Sequence, residues 1–338
     1  MPRKTTTKSA KKVKSSVVAP ASSTDGYSHS TLAAGGSVAN ARPLFVPGGQ
    51  LVCHGCGTNI KIVSMTTGET LRCLTKHEDT VTDLCAHPHI SSQFFSSSLD
   101  GTVKLWDLSD GALLHSYKIG VPCLGIGASR RERDCLFLLT SALREDGKNL
   151  MKVVSYDTRS QQIVRTITKS KGKISKTADF DVAAFEDVGM TAVAVVHKCK
   201  LSVWQSTGLQ EGSGAEKVQK YMHDHDFAAV AIQPCTGHDD AKPIIATGDV
   251  EGRIILWYNL LNMPASAKGG APPRTALHWH AHAVSALAFT QDGHYLLSGG
   301  EEAVLVLWQI GTAEKTFLPR LGAPLCRISV SPDSLNFG

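Results

Sequence analysis

One local pattern constrains this chain more than any other: a run of small polar residues, an acid-glycine turn, and a second run that ends in tryptophan. Its fullest copy is Ser96-Ser97-Ser98-Leu99-Asp100-Gly101-Thr102-Val103-Lys104-Leu105-Trp106-Asp107. Asp-Gly between two extended runs predicts a type I′ hairpin, because both central residues then need positive φ, which Gly accepts freely and Asp tolerates. The second run places Val103 and Leu105 on one face and Thr102, Lys104 and Trp106 on the other, the period of a strand. His77 lies 29 residues before Trp106.

The pattern returns. Echoes stand at Gly248 to Trp257 and Ser298 to Trp308, with a weaker copy at Lys200-Leu201-Ser202-Val203-Trp204. Ile60-Lys61-Ile62-Val63 and Lys152-Val153-Val154 keep the strand and lack the indole. With Val63, Trp106, Val154, Trp204, Trp257 and Trp308 in one slot, the steps are 43, 48, 50, 53 and 51 residues. Strand-rich repeats of this length, without helical periodicity, build four-stranded propeller blades. The expected fold is all-β: a WD40-type β-propeller with six complete blades starting near Pro43, Val81, Val121, Thr177, Phe227 and Val284. A seventh starts at Pro324 and is cut short at Gly338, which reads as a fragment of a longer protein. Propellers close by letting an N-terminal strand complete the last blade, and Ser30 to Ala34 is the expected closing strand.

Within a full copy, an upstream His, a Ser or Thr, the turn acid and the Trp can join in a hydrogen-bonded lock. Blade 2 offers His77, Ser96, Asp100 and Trp106; blade 5 offers His223, Thr247, Glu251 and Trp257; blade 6 offers His280, Ser298, Glu302 and Trp308. Buried polar groups are costly unless paired, so such a lock favours one register, and these residues are read as structural.

Charge is uneven. Of 35 basic residues, Arg3, Lys4, Lys8, Lys11, Lys12 and Lys14 fall in residues 1–24, where there is no acid, and the other 29 face 30 acids. Residues 1–28 therefore read as a disordered basic tail, and 29–338 as the propeller. The cluster suits nuclear import or contact with RNA phosphates, against the plainer reading of a solvated terminus. The tail is no signal peptide, and no run of apolar residues reaches the length of a membrane span, so a soluble protein with no membrane partner is expected. A second basic run, Lys169, Lys171, Lys173 and Lys176, links blades 3 and 4, and Arg130-Arg131-Glu132-Arg133 sits in a blade 3 loop. Each offers either phosphate contact or an ordinary solvated loop.

Catalytic motifs do not stand out. Nine cysteines without a secretion signal suggest free thiols, most packed in strands as Cys85, Cys123, Cys135 and Cys326 would be. Cys53-His54-Gly55-Cys56 has no second pair at zinc-site spacing. His278, His280 and His282 alternate as if on one strand face, yet His280 already serves the blade lock. There is no phosphate-binding glycine loop and no nucleophile elbow. No enzyme activity, cofactor, metal or small-molecule substrate is expected.

The block Leu277-His278-Trp279-His280, Leu296 to Val306, Phe317-Leu318-Pro319-Arg320-Leu321-Gly322-Ala323 and Ile328 to Pro332 resembles the nucleolar WD-repeat protein seventy-five family. The Phe-Leu-Pro-Arg-Leu-Gly element is the most diagnostic, since no blade lock requires it. The resemblance covers about residues 30 to 338 and implies the first of two tandem propellers, ahead of a helical C-terminal region. It further implies a non-catalytic scaffold of the UtpA (t-UTP) subcomplex of the small-subunit processome, in the nucleolus of the nucleus. Partners would be other UtpA subunits, both WD-repeat and helical, and pre-rRNA with its snoRNP. The role would be 18S rRNA maturation on the 5′ external transcribed spacer, coupled to RNA polymerase I. The alternative is a generic WD40 adaptor, such as a substrate receptor of a cullin-type ubiquitin ligase. Receptors of that class resemble propellers with Trp-Asp-x-Arg, whereas Trp106-Asp107-Leu108-Ser109 lacks the Arg and Tyr156-Asp157-Thr158-Arg159 lacks the Trp.

Overall fold

The computed structural model describes residues 41–143, 149–171, 178–185, 190–206, 218–234, 243–260, 272–318 and 320–338. These form six four-stranded antiparallel sheets, one for each expected blade. Blade 1 comprises β1 (Leu44–Phe45), β2 (Leu51–Cys56), β3 (Asn59–Ser64) and β4 (Thr70–Leu74). Blade 2 comprises β5 (Val81–Ala86), β6 (Gln93–Ser98), β7 (Thr102–Asp107) and β8 (Leu113–Lys118). Blade 3 holds β9 (Cys123–Ala128), β10 (Cys135–Leu143), β11 (Asn149–Asp157) and β12 (Gln162–Lys171); blade 4 holds β13 (Asp179–Phe185), β14 (Met190–His197), β15 (Lys200–Ser206) and β16 (Gln219–Met222). Blade 5 is β17 (Phe227–Ile232), β18 (Ile245–Asp249), β19 (Arg253–Trp257) and β20 (Arg274–His278); blade 6 is β21 (Val284–Phe289), β22 (Tyr295–Gly300), β23 (Val306–Gln309) and β24 (Lys315–Phe317). Each first strand begins within two residues of its expected start, and each indole slot falls in the third strand. The proposed closing strand, Ser30 to Ala34, and the basic tail lie outside the described residues.

The hydrophobic core is a set of wedges between neighbouring blades. Cys53, Ile60 and Ile62 of blade 1 pack on Val81, Phe94 and Trp106 of blade 2. Trp204 meets Phe137 and Val153 of blade 3, Trp257 meets Phe185 and Val203 of blade 4, and Trp308 meets Ala246 and Ile254 of blade 5. Each indole thus faces the preceding blade, where it fills a space that Val154 fills more sparingly between blades 2 and 3. Because both faces of a blade are covered, strand alternation does not become an alternation of buried and exposed residues. Even Lys104 in β7 is buried, with its Nζ donating to Thr102 Oγ1 at 3.0 Å.

The Asp-Gly turn differs from expectation. Gly101 alone in this turn has positive φ (+75°), and its N–H donates to Ser98 O at 3.3 Å. The turn is therefore centred on Leu99 and Asp100, with glycine in the left-handed position that follows, the three-residue hairpin loop. Asp100 stays out of the left-handed region because its carboxylate accepts from Thr102 N and Thr102 Oγ1 at 2.8 and 2.7 Å, bonds that fold it over the turn. Blade 5 repeats this with Gly252 (φ +82°), and blade 6 with Ala303 (φ +58°), a non-glycine in the same strained place.

Residues after β24 begin the expected seventh blade. Leu325 N donates to Gly300 O at 3.0 Å, and Val330 pairs antiparallel with Phe337. Leu325, Ile328 and Phe337 pack on blade 6. On the other side, a Cβ built on Gly338 would sit 3.3 Å from the Phe45 ring of blade 1. This short hairpin occupies the gap between blades 6 and 1. Cys326 belongs to no strand and is exposed, because the blade here is represented by a bridge rather than a full sheet.

Candidate functional site: blade locks and an axial charge cluster

In blade 2 the four expected residues form one directed chain. Trp106 Nε1 donates to Ser96 Oγ at 2.8 Å, Ser96 Oγ lies 2.7 Å from His77 Nε2, and His77 Nδ1 lies 2.8 Å from Asp100 Oδ2. An indole N–H can only donate, so the serine oxygen accepts it and passes its own proton to Nε2; a neutral imidazole then carries its proton on Nδ1, toward the carboxylate. Burial holds His77 below the ordinary histidine value, against the upward pull of Asp100, which agrees with a neutral ring. Burial pushes the Asp100 carboxyl up, but Thr102, His77 and the Glu78 N–H together bring it down to about 2. Blade 6 repeats the chain through Trp308, Ser298, His280 and Glu302, at 2.8, 2.8 and 3.3 Å.

Blade 5 departs from the expectation. Trp257 Nε1 donates to Thr247 Oγ1 at 2.8 Å, but the carboxylate facing His223 is Asp249, 3.2 Å from Nε2, rather than Glu251. Asp249 occupies the place of Ser98 and is fully buried; it accepts from the N–H groups of Glu251 and Arg253 at 3.0 and 2.8 Å. Glu251 points outward, 55% exposed and 3.9 Å from His225. With a carboxylate already seated two residues earlier, the glutamate has no pocket left to enter.

The trio Ser96, His77 and Asp100 has the connectivity of a hydrolytic triad. Ser96 is 0% exposed, and its oxygen is engaged by both Trp106 and His77, so no substrate carbonyl can approach it. The other candidates disperse as well. Cys53 and Cys56 are three apart on β2 and so project to opposite faces, and burial pushes Cys53 up to about 12. His278 ends β20, whereas His280 and His282 follow it; only His280 is buried, so the three do not share a strand face.

Sequence reading missed a second cluster, on the propeller axis. Arg42, just ahead of β1, lays its fork on Asp83 of blade 2 (Nε to Oδ1 3.3 Å, Nη2 to Oδ2 2.9 Å) and reaches Asp181 of blade 4 at 3.6 Å. Arg327, in the seventh-blade hairpin, meets Asp179 at 3.4 Å. The carboxylates also accept from first strands of following blades: Asp83 from Ile126 N (3.3 Å), Asp179 from Val230 N (3.2 Å) and Asp181 from Ile232 N (2.8 Å). Strand edges that face the axis would otherwise leave these N–H groups unpaired. Burial pushes Asp181 up to about 6, against the lowering pull of Arg42. Partners 41 and 139 positions away from Arg42 leave no local signature, so nothing in the sequence pattern could have flagged it.

Residues 47–338 match the family model described as the WD repeat-containing protein 75 first beta-propeller. The chain belongs to this family. Relatives named WD repeat-containing protein 75 are 34% identical over 305 residues in Xenopus laevis (86% of this chain, 34% of the relative) and 32% identical over 308 residues in Homo sapiens (88% and 35%). A Schizosaccharomyces pombe protein named U3 small nucleolar RNA-associated protein 17 is 42% identical over 89 residues, covering 26% of this chain and 10% of that protein. The chain spans about a third of the length of the WD repeat-containing protein 75 relatives it matches.

Arg130, Arg131 and Arg133 lie in the β9–β10 loop, as expected. Lys169 is exposed on β12, and that strand runs to Lys171, so the link to blade 4 starts later than the sequence suggested. Lys173, Lys176 and the tail residues Arg3, Lys4, Lys8, Lys11, Lys12 and Lys14 lie outside the described residues. In the Phe-Leu-Pro-Arg-Leu-Gly element, Leu318 is buried and its N–H donates to Leu305 O at 2.9 Å. Phe317 stays 42% exposed, with its ring 4.7 Å from that of Trp279.

Proposed function

We propose that this propeller is a non-catalytic scaffold in ribosome biogenesis: a UtpA subunit of the small-subunit processome, acting in the nucleolus on the 5′ external transcribed spacer of nascent pre-rRNA. In this reading it supports 18S maturation and links it to RNA polymerase I transcription, alongside other UtpA subunits and the U3-containing snoRNP. Membership of the WD repeat-containing protein 75 family carries the proposal. Two further relatives support it by name, the U3 small nucleolar RNA-associated protein 17 and a Saccharomyces cerevisiae NET1-associated nuclear protein 1, 56% identical over 45 residues. The buried locks suit a rigid docking disc, since their polar atoms are spent on one another. The tail, by its charge, serves nuclear entry or RNA contact.

Affinity purification of the full-length protein from nuclear extract tests the assignment. Recovery of U3 RNA together with other WD-repeat and helical processome subunits is the expected result; cullin-ligase adaptors without them would overturn it. Deleting residues 1–24 should lower nuclear accumulation or RNA crosslinking, and no change in either removes the role given to the tail.

A further inference from the structure

The fold accounts for only half of the Phe-Leu-Pro-Arg-Leu-Gly element. Leu318 and Leu321 donate their N–H groups to Leu305 O and Ala303 O, both at 2.9 Å, and pack on blade 6, so the leucines staple the chain down. Phe317 and Arg320 stay exposed. Around Phe317, rings and cations form one patch on the outer rim of blade 6, on the side that faces blade 5. The Phe317 ring lies 4.7 Å from that of half-buried Trp279, and Lys315 Nζ sits 5.9 Å from both the Phe317 and the Trp308 rings. Lys315 and Phe317 share this face because they are two apart on β24, while Thr316 points away. Among the described residues, neither Lys315 nor Arg320 is paired with a carboxylate. The backbone is open here as well. Leu318 N donates to Leu305 O, and Gln309 N donates to Glu314 O. In an alternating antiparallel ladder, Thr316 is then the residue bonded to β23, and Lys315 and Phe317 turn their N–H and C=O groups to the free edge.

We infer that this rim docks an acidic peptide segment of a partner protein, added in extended form along β24. Its apolar side chain covers Phe317 and Trp279, and its carboxylate stands opposite Lys315. This deepens the scaffold role proposed above and rests on it. Two cations without counter-charges beside an exposed apolar centre call for that combination. In an antiparallel addition the residue opposite Phe317 comes first and the one opposite Lys315 two later, so the segment reads apolar, any residue, acid. A further acid ahead of the apolar residue lies on the Arg320 side. RNA fits less well. Lys315 sits over the Phe317 ring and Trp279 meets it at a 43° tilt, which leaves little of the open flat face that base stacking needs. The edge strands β4, β8 and β12 are poorer templates, since each carries a register shift that β24 lacks.

The test uses the full-length protein and fluorescein-labelled peptides read by anisotropy. The first peptide carries glutamate, leucine, threonine and aspartate in that order at its centre, between serines; the second has lysine in place of the aspartate. F317S should weaken the first peptide about tenfold, the size of a central aromatic anchor, and leave the melting temperature unchanged, because the ring is exposed. K315E should also weaken the first peptide and should prefer the second, an exchange that a merely structural lysine would not produce. M222S, at an exposed apolar residue on the edge strand β16, should change neither. Equal affinity of F317S and wild type for the first peptide overturns the inference. So does a K315E variant that still prefers the first peptide, or an oligouridylate that displaces this peptide from the wild type and binds more weakly to F317S. Co-recovery of U3 RNA from cells separates the two levels. If the wild-type protein recovers it and F317S binds the first peptide normally, the docking assignment alone fails; if the wild type recovers none while the peptide still binds, the functional reading alone fails.

Discussion

Blades 2 and 5 share a turn, a histidine and an indole, yet they satisfy the histidine by different routes. In blade 2 the acid sits inside the turn at Asp100, and a continuous chain runs from indole to carboxylate. In blade 5 the chain divides: Thr247 serves the indole, while Asp249, at the foot of the turn, serves the histidine. What is common is the set of groups needing partners, a buried indole N–H, an imidazole and the N–H groups of the turn. The identity of the residue supplying each partner is free to move. The lock is thus a solution to polar burial, and the motif is one way of writing it.

The comparison can be broken in several places. The largest effect should come from Trp106→Ala, which removes both the donor and the volume wedged against blade 1, at a cost of about 3–5 kcal/mol in chemical denaturation. Val154→Ala, in the corresponding slot of blade 3, should cost clearly less. If the two are equal, the indole is not what binds blade 2 to its neighbour. Next, Asp249→Asn should cost about 1.5–3 kcal/mol, since it weakens three bonds to a buried carboxylate. Glu251→Gln should stay within about 0.5 kcal/mol, as exposed substitutions do. The reverse ranking would restore Glu251 as the blade 5 acid.

The dependence on pH follows from the same groups. Because burial lowers His77 and His280, the unfolded rings bind more protons than the folded ones just below their ordinary value, and stability should fall as pH drops through about 6.5. Asp100, at about 2 in the fold against 3.8 outside it, adds stability above pH 3.8 that is lost as pH falls toward 2. Asp181, pushed up to about 6, acts in the opposite sense: its ionisation is opposed, so its contribution falls as pH rises from 3.8 toward 6. Urea titrations from pH 5 to 8 should show a shallower loss on the acid side in H77Q/H280Q than in the wild type, and equal curves would contradict neutral rings in the locks. A further small effect is expected in blade 6. Ala303→Gly should stabilise by about 0.5–1 kcal/mol, the left-handed strain relieved less the added chain entropy of glycine. Gly101→Ala in blade 2 should cost a similar amount, and its Cβ would also press on the Val121 backbone at 3.3 Å.

These contrasts also show what could be read beforehand. Blade starts, third strands and the locks of blades 2 and 6 were legible because each is written within a few residues, as a turn, a period and an indole. The choice between Asp249 and Glu251 was not, since both carboxylates lie near the turn and only the folded pocket decides which one reaches His223. The turn type at Gly101 was missed because the Asp100 side chain closes the loop on Thr102, a preference that the Asp-Gly pair alone does not carry. The alternation of His278, His280 and His282 misled because the strand ends at His278. The axial cluster was hidden by distance along the chain.

Arg42 has a practical bearing on how the basic arm is studied. It follows that arm in the chain, yet it is a hub residue tying the second and fourth spokes of the wheel. A deletion that strips the arm and runs on past Ala41 removes the cation holding those acids together at the centre. The resulting damage to the whole ring would be mistaken for a loss of RNA or import contacts, so trimming should stop short of Ala41.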